Sequence, residues 1–156
     1  MAELFSDEGL TLDLNIWPRK NVALPADLYL GTFTAATAST TPARTVVMDA
    51  AVPITGVTEP TSGTGAYARK IAASAGWGAP SLTAGGVKSV SAQISFDEST
   101  AAWSPATQNG FFICQQLAQG AGTKGIGYAN FDDLTAVAIN AAGFVLRVTA
   151  TWEYLI

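Results

Sequence analysis

The sequence predicts an all-β fold, a single antiparallel β-sandwich of jelly-roll-like type or a small barrel, with an extended or short-helical N-terminal arm. Three observations predict it. First, 15 Gly and 7 Pro accompany only 13% charged residues, against roughly 25% in an average globular domain. A long solvent-facing helix would lack its usual Lys and Glu. Second, Phe144, Leu146, Val148, Ala150, Trp152 and Tyr154 stand at every other position, a period that a strand sorts onto one face and a helix scatters. Third, short apolar segments recur between clusters of Gly, Pro, Ser and Thr, a spacing that suits seven or eight strands in a sandwich or barrel. A chain of 156 residues suits one domain. The expected division is an N-terminal arm over residues 1–21 and a β-sandwich domain over 22–156.

Taken in order, residues 10–17 alternate apolar and polar side chains, yet Leu10, Leu14 and Trp17 also fit one face of a short helix. Pro18 ends either form. Residues 27–33 predict a strand rich in aromatic and apolar residues. The Ala- and Thr-rich tract 35–43 predicts an exposed loop or arm, and residues 45–49 a short strand. Residues 58–65 predict a turn, with Gly63 and Gly65 free to take positive φ. Gly85-Gly86 reads as a turn before the next strand. Across residues 87–96, Val90, Ala92, Ile94 and Phe96 are expected on the buried face, opposite Ser91, Gln93 and Ser95. Residues 111–117 are more continuously apolar, as suits a central strand covered on both faces. Residues 120–125 predict a loop, residues 126–131 a strand, and 144–154 the final strand.

Composition excludes several chemistries. The chain has no His, so no triad or acid–base step rests on imidazole and no imidazole ligates a metal. A single Cys, Cys114, permits neither an intrachain disulfide nor a thiolate zinc cluster. It is expected to be a buried small hydrophobe. A formal net charge of −4 disfavours nucleic acid as a partner, because phosphate binding needs a basic surface. No apolar run nears the roughly 18 residues of a membrane span, and residues 1–8 lack the charge and apolar pattern of a secretory signal. Synthesis in a reducing cytosol, without membrane partners, is therefore expected.

Each possible reactive constellation has a plainer reading. Asp97-Glu98 and Asp132-Asp133 could offer carboxylates to Ca²⁺, but lack the D-x-D-x-D-G spacing and are expected to be solvated loop charges. A carboxylate-pair glycosidase needs two acids brought together, and no spacing here does so. Gly63-Thr-Gly65 lacks the Lys-Ser/Thr of a phosphate loop. Among four Trp and four Tyr, Trp77 between Gly76 and Gly78 is the aromatic best placed for exposure, though core packing is its expected role. Trp152 and Tyr154 are expected to pack in a core or interface. No cofactor, metal or catalytic residue is expected.

Residues 58–69 contain Glu59-Pro60, then Gly63, Gly65, and Tyr67-Ala68-Arg69. This segment resembles a signature of a family of small bacteriophage structural proteins labelled minor tail or tail-fibre proteins: an acidic-Pro, a Gly/Ser turn, then Gly-Tyr-Ala-Arg opening a strand. Here Ala66 separates the Gly from the Tyr. Residues 25–33, Trp77, Ile94-Ser-Phe96, Trp103, residues 110–113 and residues 142–148 are similar, in order, to further family positions, so the likeness spans most of residues 22–150. The arm and the Ala/Thr tract depart from it. The resemblance implies a non-enzymatic virion protein of the tail, collar or fibre apparatus, made in the host cytoplasm, and by analogy a homotrimer bound to other virion proteins. A capsid decoration or cement protein on the head surface is the first alternative, and a module binding host-surface glycans the second. Physically, Glu59, Pro60, Gly63, Gly65, Tyr67 and Arg69 read as structure: a tight turn, a buried Tyr ring with a bonded hydroxyl, and a Glu59–Arg69 pair.

Overall fold

The computed structural model describes residues 4–5, 27–35, 57–119, 125–131 and 135–155. The fold is all-β. In chain order the strands are β1 (Leu4–Phe5), β2 (Leu28–Ala35), β3 (Val57–Thr58), β4 (Lys70–Ala72), β5 (Ser81–Thr83), β6 (Gly86–Val90) and β7 (Ile94–Ser95). There follow β8 (Thr107–Gln108), β9 (Gly110–Cys114), β10 (Gly125–Asn130), β11 (Val137–Ala138), β12 (Arg147–Val148) and β13 (Thr151–Leu155). Two 3₁₀ turns, Thr64–Ala66 and Ser74–Gly76, are the helical elements among the described residues.

The largest sheet runs β1-β10-β9-β2-β3, with β4 also paired to β2. All its pairings are antiparallel. The first part of the apolar run predicted over residues 111–117 becomes β9, between β10 and β2. The chain leaves the sheet after Cys114 and Leu117 is 51% exposed, because Arg69 holds the Gln116 and Ala118 carbonyls outside the ladder. Successive side chains of a strand alternate between faces, so β9 sends Ile113 one way and Phe112 and Cys114 the other. Leu30 and Ile113 join Tyr67, Phe96, Trp103 and Val148 in the larger core, while Phe33, Phe112, Cys114 and Tyr128 form the second. Cys114 is a free, buried thiol. Of the N-terminal arm, Leu4 and Phe5 pair with Tyr128 and Gly127. The remainder of the arm lies outside the described residues, as do the predictions for residues 36–43, 45–49 and 120–124 and for Asp132-Asp133.

A second layer, sandwich-like against the first, corrects two predictions. Residues 87–96 and 144–154 do pair with each other, but each is broken. Ile94 opposes Val148 and Val90 opposes Thr151, so Ser91, Ala92 and Gln93 stand against only Thr149 and Ala150. One extra residue on one side is a bulge, and it reverses which side chains face inward. Ser91 is therefore buried, while Val90, expected inside, is 37% exposed, and Ala92 is also outside. Ser91 bonds the facing segment doubly: its N–H donates to Ala150 O at 2.8 Å, and its Oγ accepts the Ala150 N–H at 2.9 Å. In the last segment Leu146, Val148 and Ala150 keep the predicted inward face, whereas Phe144 is 42% exposed. There Ser99 holds the backbone, its Oγ accepting the Phe144 N–H at 2.9 Å. Breaks of this kind yield thirteen short strands among the described residues, where seven or eight longer ones were expected.

Candidate functional site

The segment 58–69 folds into a corner between β3 and β4. Gly63 (φ 82°) and Gly65 (φ 60°) take left-handed conformations, as the turn reading expected, and Ala66 (φ 66°) follows with no glycine to ease it. The turn is closed by the Gly63 N–H donating to Tyr67 O at 2.8 Å. At Gly65 there is a second constraint. A Cβ would stand 2.5 Å from Ala101 O and 2.9 Å from Ala102 O, both backbone atoms. The Gly65 carbonyl meanwhile accepts the Trp103 indole N–H at 3.1 Å.

Tyr67 leaves the turn pointing inward and is 1% exposed. Its ring lies 5.8 Å from Phe96, stacked, and 4.9 Å from Trp103, edge-on. Its hydroxyl donates to Glu59 Oε1 at 2.9 Å and accepts the Thr32 N–H of β2 at 3.1 Å. Burial, then the adjacent Glu59 carboxylate, raises that hydroxyl well above the ordinary phenol value.

Arg69 makes the pair anticipated from sequence, and makes it bidentate. Its Nε donates to Glu59 Oε1 at 2.8 Å and its Nη2 to Glu59 Oε2 at 2.6 Å. Nη1 donates to Gln116 O and Ala118 O, at 3.0 and 3.1 Å, and so ties down the chain leaving β9. The guanidinium also lies 5.4 Å over the Phe112 ring. Burial by itself lowers the Arg69 pKa, but the bonds and charge of Glu59 outweigh it and the net shift is upward. Pro60 is buried, and its carbonyl accepts Gln119 Nε2 at 2.6 Å; Gln119 Oε1 accepts the Ser62 N–H at 2.8 Å.

All six residues singled out from sequence therefore meet in one place. Thr32, Trp103, Gln116, Ala118 and Gln119 complete it. No local spacing signals them, because they arrive from 35 to 59 residues away in the chain. The corner directs its donors and acceptors at one another, an arrangement suited to holding strands and unsuited to reaching a substrate.

A different surface lies beside it. An open groove of about 630 Å³ runs between β4 and β7, lined by Ile71, Trp77, Ala92, Ile94 and Leu117 among others. Trp77 is half-buried, packs on the larger core and donates its indole N–H to Ala72 O at 3.4 Å. The two cations at the groove are neutralised, Arg69 by Glu59 and Lys70 by Asp97 at 2.6 Å. Asp97 and Glu98 are exposed. Among the described residues no group of three His, Cys, Asp or Glu is placed to hold a metal, and no helix is long and apolar enough to cross a membrane. Compared with models of known protein families and with curated protein sequences, the chain matches none.

Proposed function

We propose that the chain is a structural protein of a bacteriophage virion, an assembly component of the tail, collar or fibre apparatus that works as a homotrimer against other virion proteins and carries out no reaction. The observation that carries this reading is the inward turn of the segment on which the family resemblance rests. Glu59, Tyr67 and Arg69 bond to one another and to the backbone, so the signature acts as a frame. Outside the frame, Ile71, Leu82 and Leu117 offer large apolar side chains to a neighbour. The low charge of the chain supports the same role, since few like charges oppose close contact between subunits.

Placement on the head surface as a decoration protein is the competing virion reading. Immunogold electron microscopy on purified particles, with antibody raised against the isolated chain, separates the two. Label at the tail or its fibres is the expected result. Label spread over the capsid would favour decoration, and unlabelled particles would overturn both. Attachment to host glycans gains little from Trp77, whose ring is half-buried against the larger core. A blank glycan array is expected.

A further inference from the structure

Of the five asparagines in the chain, Asn109 alone precedes a glycine. That pair has a chemistry of its own. Glycine has no side chain to restrict its neighbour's approach, so in a flexible chain the Gly110 nitrogen can attack the Asn109 carboxamide carbon. Reactions of this kind make asparagine one of the thermolabile residues.

The fold demands both members of the pair. Asn109 lies between β8 and β9 and is 3% exposed. Its N–H donates to Phe33 O at 2.7 Å, and its carbonyl accepts the Phe131 N–H at 3.0 Å. Its Oδ1 accepts the Ala35 N–H at 2.7 Å and the Thr34 hydroxyl at 3.2 Å. One residue thus joins the end of β2, the start of β9 and the end of β10. Gly110 is demanded by space. A Cβ there would collide with Ala129 O and stand 2.6 Å from Phe33 Cζ and 2.8 Å from Asn130 Cα. Packing therefore places a labile dipeptide at the head of the central strand.

The same contacts keep the pair inert. The Asn109 carboxamide is held toward Ala35 and Thr34, and β9 is laddered on both sides by β2 and β10. Burial shuts out the water or hydroxide that would take the Gly110 proton. Attack needs a backbone turn at Asn109, which the sheet permits only by opening.

We propose that Asn109-Gly110 is a self-modification site that the native sheet masks and unfolding releases. In the released chain a bond forms between Gly110 N and Asn109 Cγ. The Cγ–Nδ2 bond breaks, and the amide nitrogen leaves with the Gly110 proton as ammonia. Water then opens one of the two C–N bonds of the resulting five-membered imide, which leaves aspartate or isoaspartate at position 109. Aspartate brings a charge into a buried site, which is costly without a partner. Isoaspartate carries the backbone through the former side chain, one carbon longer. It cannot keep the bonds to Phe33 and Phe131 together with those to Thr34 and Ala35. Unfolding becomes irreversible at this residue.

Incubating the full chain in buffer and in guanidinium chloride, then mapping it with trypsin, tests the proposal. Residues 89–124 are released as one peptide, in which Asn109 is the sole asparagine. Its conversion, read by mass and by isoaspartyl methyltransferase labelling, is expected in denaturant within days. In buffer it should be roughly a thousandfold slower or more, in keeping with the small unfolded share of a stable domain. The denatured sample is then refolded and fractionated by size exclusion. The isoaspartyl peptide is expected among chains that fail to refold and absent from those that succeed. Comparable conversion in buffer and denaturant would overturn the masking. Isoaspartyl chains that refold would overturn the barrier, and a denatured chain that keeps its amide would overturn the site.

Discussion

The Glu59–Arg69 corner and the β5–β6 hairpin stand a few strands apart and are built on opposite terms. In the corner, Arg69 donates, among its contacts, four hydrogen bonds to Glu59 and to the chain beyond β9, and the Tyr67 hydroxyl makes two, with both side chains almost wholly out of water. On the hairpin, Leu82 is left in water, and the residues beside it in sequence, 81 and 83–86, are uncharged. Removing a buried ion leaves its partner unpaired at a cost of several kcal/mol; removing an exposed leucine costs the isolated subunit almost nothing. The difference separates what holds this protein together from what is free to hold something else. Polar groups placed inside serve the frame, and in the proposed role the apolar groups placed outside serve contact.

Substitutions can break or sharpen that contrast. The largest loss is expected from Tyr67→Ala, which removes a ring seated between Phe96 and Trp103 and strips bonds from Glu59 and the Thr32 N–H; about 4 kcal/mol should disappear in urea denaturation. Arg69→Met should cost about 3 kcal/mol by leaving Glu59 buried without its cation. Adding Glu59→Gln should restore part of that loss, and the double-mutant cycle measures the coupling. Gly65→Ala follows at upwards of about 2 kcal/mol, because the new methyl meets the backbone oxygens of Ala101 and Ala102 as well as requiring positive φ. Gly63→Ala meets nothing within 4 Å and should cost only about 1 kcal/mol, the conformational part alone. Leu82→Ser should change the stability of the separated subunit by less than about 0.5 kcal/mol. Equal losses from Tyr67→Ala and Leu82→Ser would erase the contrast.

Alkali offers a second approach to the same corner. Burial raises the Tyr67 hydroxyl, and it likewise pushes up the Cys114 thiol against the pull of Arg69. Both groups are held neutral in the folded chain but ionise near their ordinary values, about 10 and about 8.5, once unfolded. Their contribution to stability is complete below those values and is lost as pH rises through and beyond them. Denaturation midpoints should therefore fall above about pH 9, and Tyr67→Phe should lessen the fall. Native Cys114 should resist thiol reagents until the chain unfolds.

Much of this was legible in the sequence. The apolar run from Phe111 announced the covered strand that became β9, though not its end at Cys114, and Glu59, Gly63, Gly65 and Arg69 announced a turn with an ion pair. The bulge was not legible. Val90, Ala92, Ile94 and Phe96 keep period two straight through it, and only the pairing with β12 and β13 shows that one residue too many lies on that side. Ala66 gave no hint of its positive φ, since alanine rarely adopts one. Gln119 and Trp103 joined the corner by tertiary contact, which spacing along the chain does not encode. The groove was invisible for the same reason: Ile71, Trp77, Ile94 and Leu117 form one surface only after β4, β7 and the turn beyond β9 have been brought together.

The most direct test of the virion role is quantitative mass spectrometry of purified phage particles with heads and tails separated. The account predicts this chain in the tail fraction, in a copy number divisible by three. Its absence from every particle fraction, while it accumulates free in the host cytoplasm, would contradict the account.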